Sequence, residues 1–271
     1  MPRQANWLAH LLFIGNFVYC EQTDSDTGYL LFGGMLLGDT FHTIPLLNWL
    51  TEERRRGKII WWAGTYERAA VEFLQGFYPI EARYFKDGVP TEILDRDRFI
   101  DIHLPRLRKR LRQVSWAAVD FDPWANRNFT LKNRENLQPT PGDFIVIHPA
   151  SRHSWKNIPA IHSLDWRQFD MPVVTVGGPG EHLIPGALDF RGRPFFEVAR
   201  LIASSRLVMG IHSSISCLAL YLDRPMIVCA PDHDPAYARF SELKPHIVDL
   251  VQPTESELIE TVSRCLQESE L

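Results

Sequence analysis

The sequence predicts an α/β protein built on parallel sheet, with its best-defined domain in the C-terminal half. Three observations carry that prediction. Short, β-branched, almost uninterrupted apolar runs recur at residues 144–148, 172–176, 206–211 and 225–230, which is how a strand buried on both faces reads. Between runs the apolar period lengthens to that of a helix, first through Phe195, Phe196, Val198, Ala199, Leu201 and Ile202, then through Ile215, Leu218, Ala219 and Leu222. Each run also empties into small or polar residues at its C-terminal end, at His148 to Ser151, Gly177 to Glu181, His212 to Ser214 and Pro231 to Asp234. That edge is where an open parallel sheet holds its ligands.

From the N-terminus, residues 11–14 and 17–19 read as strand or hairpin, and 21–28 as a surface loop rich in turn residues. A strand at 29–32 begins a clearer unit. Gly33, Gly34, Gly38 and Asp39 frame a permissive loop, and Phe41, Ile44, Leu47 and Leu50 then lie at helical spacing up to a charged stop at 52–57. A strand at 58–62 and a helix at 66–77 complete a first α/β unit. From 78 to 141 the pattern weakens among Pro90, Pro105, Pro123, Pro139 and Pro141, with 116–120 a further strand candidate. The basic run at 107–112 reads first as a solvated helix face.

Residues 136–142, with two prolines and a glycine, form the best linker. They divide an N-terminal domain, 1–140, from a C-terminal one, 141–271. In the second domain a short helix fits the crossover from Ile161 to Phe169, and short strands fit 188–190 and 247–250. Thr254 and Glu257 have the spacing of a capping box, and Leu258, Ile259, Val262 and Leu266 supply one apolar face. The closing element is therefore a helix at about 254–269.

Composition sets bounds on partners. The chain has 271 residues, 45% hydrophobic and 23% charged, with a formal net charge of -4. That is an ordinary folded composition with no global attraction to nucleic acid. Cys20, Cys217, Cys229 and Cys265 include no close C-x-x-C pair and read as reduced thiols of a cytoplasmic protein. No run reaches transmembrane length, which leaves peripheral membrane contact open. Asp232, His233 and Asp234 are consecutive and so alternate in facing, and no metal site is expected there.

Chemistry concentrates at the strand ends. Asp39, flanked by glycine beyond a buried strand, reads either as a general base or as a helix N-cap. Ser151, Arg152, His153 and Lys156 share one loop, where a diphosphate finds charge-assisted partners. Glu181 closes the turn of Gly177, Gly178, Pro179 and Gly180 and is suited to accept from two ribose hydroxyls. That turn lacks G-x-G-x-x-G spacing, which disfavours a nicotinamide cofactor. His212, Ser213 and Ser214 open a helix and offer hydroxyls and amides to phosphate, although the serines also serve as caps. No nucleophilic triad is indicated.

These residues in this order carry a resemblance. The run from Leu37 to Leu46 resembles the G-D-x-x-H-T-x-P signature of the lipopolysaccharide heptosyltransferases, glycosyltransferase family 9. His148 to Ser151, with Lys156 and Pro159, is similar to that family's H-P-G-S and K-x-W-P segment, and Gly177 to Glu181 to its G-G-P-x-E turn. Residues 189–192 and 197–208 resemble the helix and strand before its final diphosphate loop. The resemblance covers residues 29–77 and 142–230, about half the chain. It implies a GT-B-like fold of two Rossmann-like domains facing a cleft, the N-terminal one reduced.

The implied activity is inverting, metal-independent transfer of a sugar from a nucleoside-diphosphate donor, the nucleotide sugar being substrate and no cofactor being needed. By resemblance, Asp39 activates the acceptor hydroxyl, Lys156 with Ser151 and Arg152 neutralises the diphosphate, and Glu181 beside Gly178 holds the ribose. His212, Ser213 and Ser214 stand where the family has Asp-Thr-Gly, Cys217 where it has histidine, and Ile158 where it has tryptophan. These departures keep alternatives in view: a nucleotide-sugar epimerase or hydrolase, or a non-catalytic nucleotide-sugar-binding or assembly protein. The acceptor is unspecified, with the run at 107–112 suited to an anionic glycan or glycolipid. The closing helix is expected to pack back across the cleft.

Overall fold

The computed structural model of the chain describes residues 17–22, 29–32, 37–53, 59–64, 67–84, 99–101, 129–150, 156–231 and 240–268. Two compact units make up the chain, Met1–Asn133 and Arg134–Leu271. The strand expected at 116–120, the basic run at 107–112 and the triplet Asp232 to Asp234 lie outside the described residues.

In the first unit, strands β1 (Phe17–Gln22), β2 (Tyr29–Phe32), β3 (Ile59–Ala63), β4 (Ile80–Tyr84) and β5 (Phe99–Asp101) form one sheet in the order β4-β3-β2-β1-β5. β2, β3 and β4 are parallel, and β1 runs antiparallel to β2 and β5. Helices α1 (Leu37–Phe41) and α2 (Ile44–Glu53) carry the chain from β2 to β3, and α3 (Arg68–Leu74) from β3 to β4. Their apolar stripes bury Phe41, Ile44, Leu47, Val71 and Leu74, and Phe41 meets Phe73 edge-to-face at 5.9 Å. A buried polar pin adds to this core: Tyr78 Oη donates to Asn48 Oδ1 at 2.8 Å, and Asn48 Nδ2 donates to the Thr130 carbonyl at 2.9 Å. Burial pushes the Tyr78 phenol well above its ordinary value.

One expectation is corrected here. The loop expected between Gly33-Gly34 and Gly38-Asp39 is already helical from Leu37, so Asp39 lies inside α1 and is neither a turn residue nor an N-cap. The helical run breaks later, at His42 and Thr43. Pro45 in the first turn of α2 has no N–H to give to the preceding turn, and its ring crowds the carbonyl four residues back. Thr43 takes up the gap, donating both N–H and Oγ1–H to the Thr40 carbonyl at 3.2 and 2.7 Å.

The second unit holds a six-stranded, wholly parallel sheet of β6 (Ile145–His148), β7 (Val173–Thr175), β8 (Leu188–Asp189), β9 (Leu207–Ile211), β10 (Met226–Ala230) and β11 (Ile247–Val251). Its order is β11-β10-β9-β6-β7-β8. The chain winds outward from β6 to β8 on one side, returns to β9 beside β6, and winds outward again. β6 and β9 therefore flank a topological switch point, the crevice where doubly wound sheets bind ligands. Crossovers carry α4 (Pro159–Ser163), α5 (Phe195–Ser204) and α6 (Ser214–Tyr221), and α7 (Glu255–Glu268) follows β11.

Ile145, Ile147, Leu207, Met209, Ile227 and Cys229 build the core of this unit, and α7 adds Leu258 and Val262 to the same cluster. The apolar face of α7 is thus spent on its own unit. Its N-terminus has the expected capping box, with Thr254 N–H donating to Glu257 Oε2 at 2.8 Å and Glu257 N–H to Thr254 Oγ1 at 3.3 Å. Cys217, Cys229 and Cys265 are buried free thiols. Burial pushes the Cys229 thiol up to about 12, so it is inert at neutral pH.

Candidate functional site

All four residues of β6 are buried, and the last is a histidine. A buried imidazole needs partners for both ring nitrogens, and His148, 5% exposed, has them in the loops that follow the two neighbouring strands. Nε2 lies 3.0 Å from Glu181 Oε2, in the loop after β7. Nδ1 lies 2.8 Å from Ser213 Oγ, just after β9. The end of β6 and the loops after the two strands beside it thus contribute one side chain each to a single polar chain at the carboxyl edge of the sheet.

The hydrogen positions follow from the partners. A carboxylate oxygen accepts, so Nε2 carries a hydrogen, and in the neutral imidazole Nδ1 is then left to accept from the Ser213 hydroxyl. Ser213 Oγ in turn accepts from Ile215 N–H at 3.2 Å and Ser216 N–H at 3.5 Å, while Ser216 Oγ accepts from Ser213 N–H at 2.7 Å. This is a capping box, and it starts α6 at the switch point.

Glu181 is held from several directions. Gly178 N–H donates to Oε2 at 2.9 Å, the Glu181 N–H donates to the Gly178 carbonyl at 3.1 Å, and Arg191 donates to the Glu181 carbonyl. Arg191 is fixed by two 2.8 Å bonds from Nε and Nη2 to the Asp189 carboxylate. The Arg191 guanidinium holds the Asp189 carboxyl down at about 2. Two glycines make the approach possible. Gly177 has φ +142, and a Cβ there would lie 2.3 Å from Glu181 Oε2; a Cβ on Gly210 would lie 2.4 Å from the His148 carbonyl oxygen.

Of the residues singled out in the sequence, Gly178, Glu181, His212, Ser213, Ser214 and Lys156 come to this edge. Lys156 Nζ donates to the His212 carbonyl at 3.5 Å, placing an ammonium beside the start of α6. The His212 ring packs at 4.9 Å from Phe240. Ser151 and Arg152 lie outside the described residues, as does the side chain of Asp39, whose helix belongs to the other unit. In the sequence His148 stands only as the first residue of the H-P-G-S-like segment, with no role of its own, whereas the structure joins it to Glu181 and Ser213. Its signal was present: a histidine closing a strand otherwise made of isoleucine and valine is a buried polar group in need of partners.

Among the described residues no group of three or more His, Cys, Asp or Glu is placed to hold a metal ion. No helix among them is long and apolar enough to cross a membrane.

The sequence matches no protein-family model, and no curated protein matches it. Its fold does have solved counterparts. The E. coli ADP-heptose lipopolysaccharide heptosyltransferase II superposes with a TM-score of 0.55 over 89% of this chain and 99% of its own, at 14% identity. E. coli heptosyltransferase WaaC, solved with ADP, gives 0.53 over 87% and 97%, also at 14% identity. A glycosyl transferase of family 9 from Veillonella parvula gives 0.54 over 86% and 95%, at 12% identity. At such identities the likeness is one of architecture, and it agrees with the strand order above: the chain has a GT-B-like α/β fold of two Rossmann-like units.

Proposed function

We propose that the protein is a glycosyltransferase whose C-terminal unit binds the nucleoside diphosphate of a sugar donor. The observation that carries this reading is the convergence of Glu181, Ser213 and Lys156 at the β6/β9 switch point. Glu181, its Oε2 held by His148 and Gly178, accepts from ribose hydroxyls. The diphosphate lies against Lys156, Ser214 and the N-terminus of α6, whose first turn Ser213 caps and whose dipole adds positive potential. The family resemblance assigns Ser151, Arg152 and His212 to the same diphosphate. Solved proteins of similar fold, among them a heptosyltransferase with ADP, support an adenine nucleotide and a heptose-like sugar as the first donor to try.

In this reading the transfer step assigns each charge the role that the family resemblance implies. Asp39 takes the proton of an acceptor hydroxyl as its oxygen attacks the anomeric carbon. The bond from that carbon to the diphosphate oxygen breaks, and the electron pair leaves with the nucleoside diphosphate. Lys156 and the amide end of α6 stabilise the leaving group without calling on a metal. Attack opposite the leaving group inverts the configuration. The acceptor fits an anionic glycan or glycolipid drawn by the basic run at 107–112, met by a cytoplasmic enzyme at a membrane surface.

Calorimetric titration of ADP, UDP, GDP and CDP tests the reading. One diphosphate is expected to bind wild type selectively, with Lys156→Ala and Glu181→Ala each weakening it about tenfold or more. Absence of binding by any of the four to folded wild type would overturn the donor site. Binding without turnover of any nucleotide sugar, unchanged in Asp39→Asn, would leave a nucleotide-sugar-binding protein in place of a transferase.

A further inference from the structure

Glu181, His148 and Ser213 stand in the order of a carboxylate, imidazole and hydroxyl relay, with links of 3.0 and 2.8 Å. Such a relay activates serine nucleophiles elsewhere, so the geometry at Ser213 decides between attack and support. Ser213 Oγ accepts from Ile215 N–H and Ser216 N–H, so with a neutral imidazole its hydrogen goes to His148 Nδ1 at 2.8 Å. A hydroxyl oxygen has two lone pairs. Both are engaged, and turning one towards an electrophile would break the cap of α6. The relay therefore serves position.

We propose that His148 is a positioning residue which, through a single Nε2–H tautomer, sets both ends of the nucleotide site at once. Nε2–H fixes the Glu181 carboxylate at the ribose end. Nδ1 fixes the Ser213 hydroxyl, and through it the first turn of α6, at the phosphate end. The inference rests on the reading of this site as a nucleotide site.

Three features make the imidazole suited to that task. It is rigid, with its two nitrogens facing the loops of β7 and β9 from the strand between them. It is buried, with 7% of its side chain exposed against 19% for Glu181, so the carboxylate meets solvent and ligand while the imidazole stays behind it. The backbone under it is pinned, because Gly210 on β9 leaves no space for even a methyl group beside the His148 carbonyl. A change at one end of the bound nucleotide is thus felt at the other through one ring.

The substitutions separate the two links. Glutamine places an amide near Nε2 and keeps the bond to Glu181, whereas asparagine reaches the Nδ1 position and keeps the bond to Ser213. His148→Gln and His148→Asn should each weaken binding of the diphosphate selected from the four-nucleotide panel by about tenfold, as loss of one charged or helix-capping bond implies. A double-mutant cycle of Glu181→Gln with Ser213→Ala adds a readout that a merely structural residue does not give. The two losses should be non-additive by threefold or more in wild type and multiply independently in the His148→Asn background. Nitrogen-15 NMR of the wild-type imidazole should show the Nε2–H tautomer with Nδ1 accepting.

The Nδ1–H tautomer, or independent losses for Glu181→Gln and Ser213→Ala in wild type, would overturn the positioning role while leaving nucleotide binding intact. Absence of diphosphate binding to folded wild type would instead remove the nucleotide site, and the positioning role with it. If the His148 variants fail to fold, the Glu181 and Ser213 cycle and the tautomer still decide.

Discussion

Gly177 and Gly210 act by what they lack. An alanine at 210 would drive a methyl to 2.4 Å from a backbone carbonyl on the adjacent central strand, where neither partner can rotate away. We expect Gly210→Ala to lower stability by about 2 kcal/mol or more, the scale of overpacking in a closed core, read as a lower urea midpoint. Gly180→Ala is the internal control, since nothing lies within 4 Å of a Cβ there. At this scale the sequence was informative about charge and mute about contact. Glu181, Lys156 and Ser213 could be placed at strand ends because apolar runs mark where strands stop. The meaning of His148 required knowing which loops lie on either side of β6, and strand order is not written in periodicity. Asp39 shows the opposite failure: glycine beside it suggested a turn, but the break was set by Pro45 further along.

Between residues and domains stand the devices that hold loops and helix ends. The Asp189 and Arg191 pair anchors the loop that carries Glu181, and its carboxyl lies below the ordinary carboxylate value because Arg191 donates to it. A depressed folded value means the pair adds stability above the unfolded carboxylate value, about 3.9, and loses it as pH falls towards about 2. Calorimetric melting should therefore show Asp189→Asn below wild type at pH 6, with the gap closing as pH falls through that window. The cap of α7 offers a second handle: Thr254→Ala should cost about 1 kcal/mol in urea unfolding. The capping box was legible because Thr254 and Glu257 sit next to one another on the chain. The buried parallel strands were legible for the same local reason. β4 was not, since of Ile80 to Tyr84 only Ile80 is buried and no alternation marks the rest.

At the scale of the whole chain, each unit has its own sheet and its own core, so each satisfies the physical condition for folding alone. What the C-terminal unit needs at its start is set by contacts, and the composition of 136–142 hides them. Prolines and a glycine make that stretch look like a linker, yet Leu137 is fully buried and its carbonyl accepts from Arg200 Nε at 2.9 Å. Arg134 Nη1 donates to the Leu222 carbonyl at 3.0 Å, and Thr140 N–H to Ser204 Oγ at 3.1 Å. These bonds bind the segment to α5 and to the end of α6. A fragment of residues 134–271 should therefore unfold in one cooperative transition and keep the nucleotide affinity of the full chain. A fragment starting at 142 should be less stable by about 2 kcal/mol or more, the scale of one buried leucine side chain. Equal urea midpoints for the two fragments would show that Leu137 is held in place without contributing to the fold.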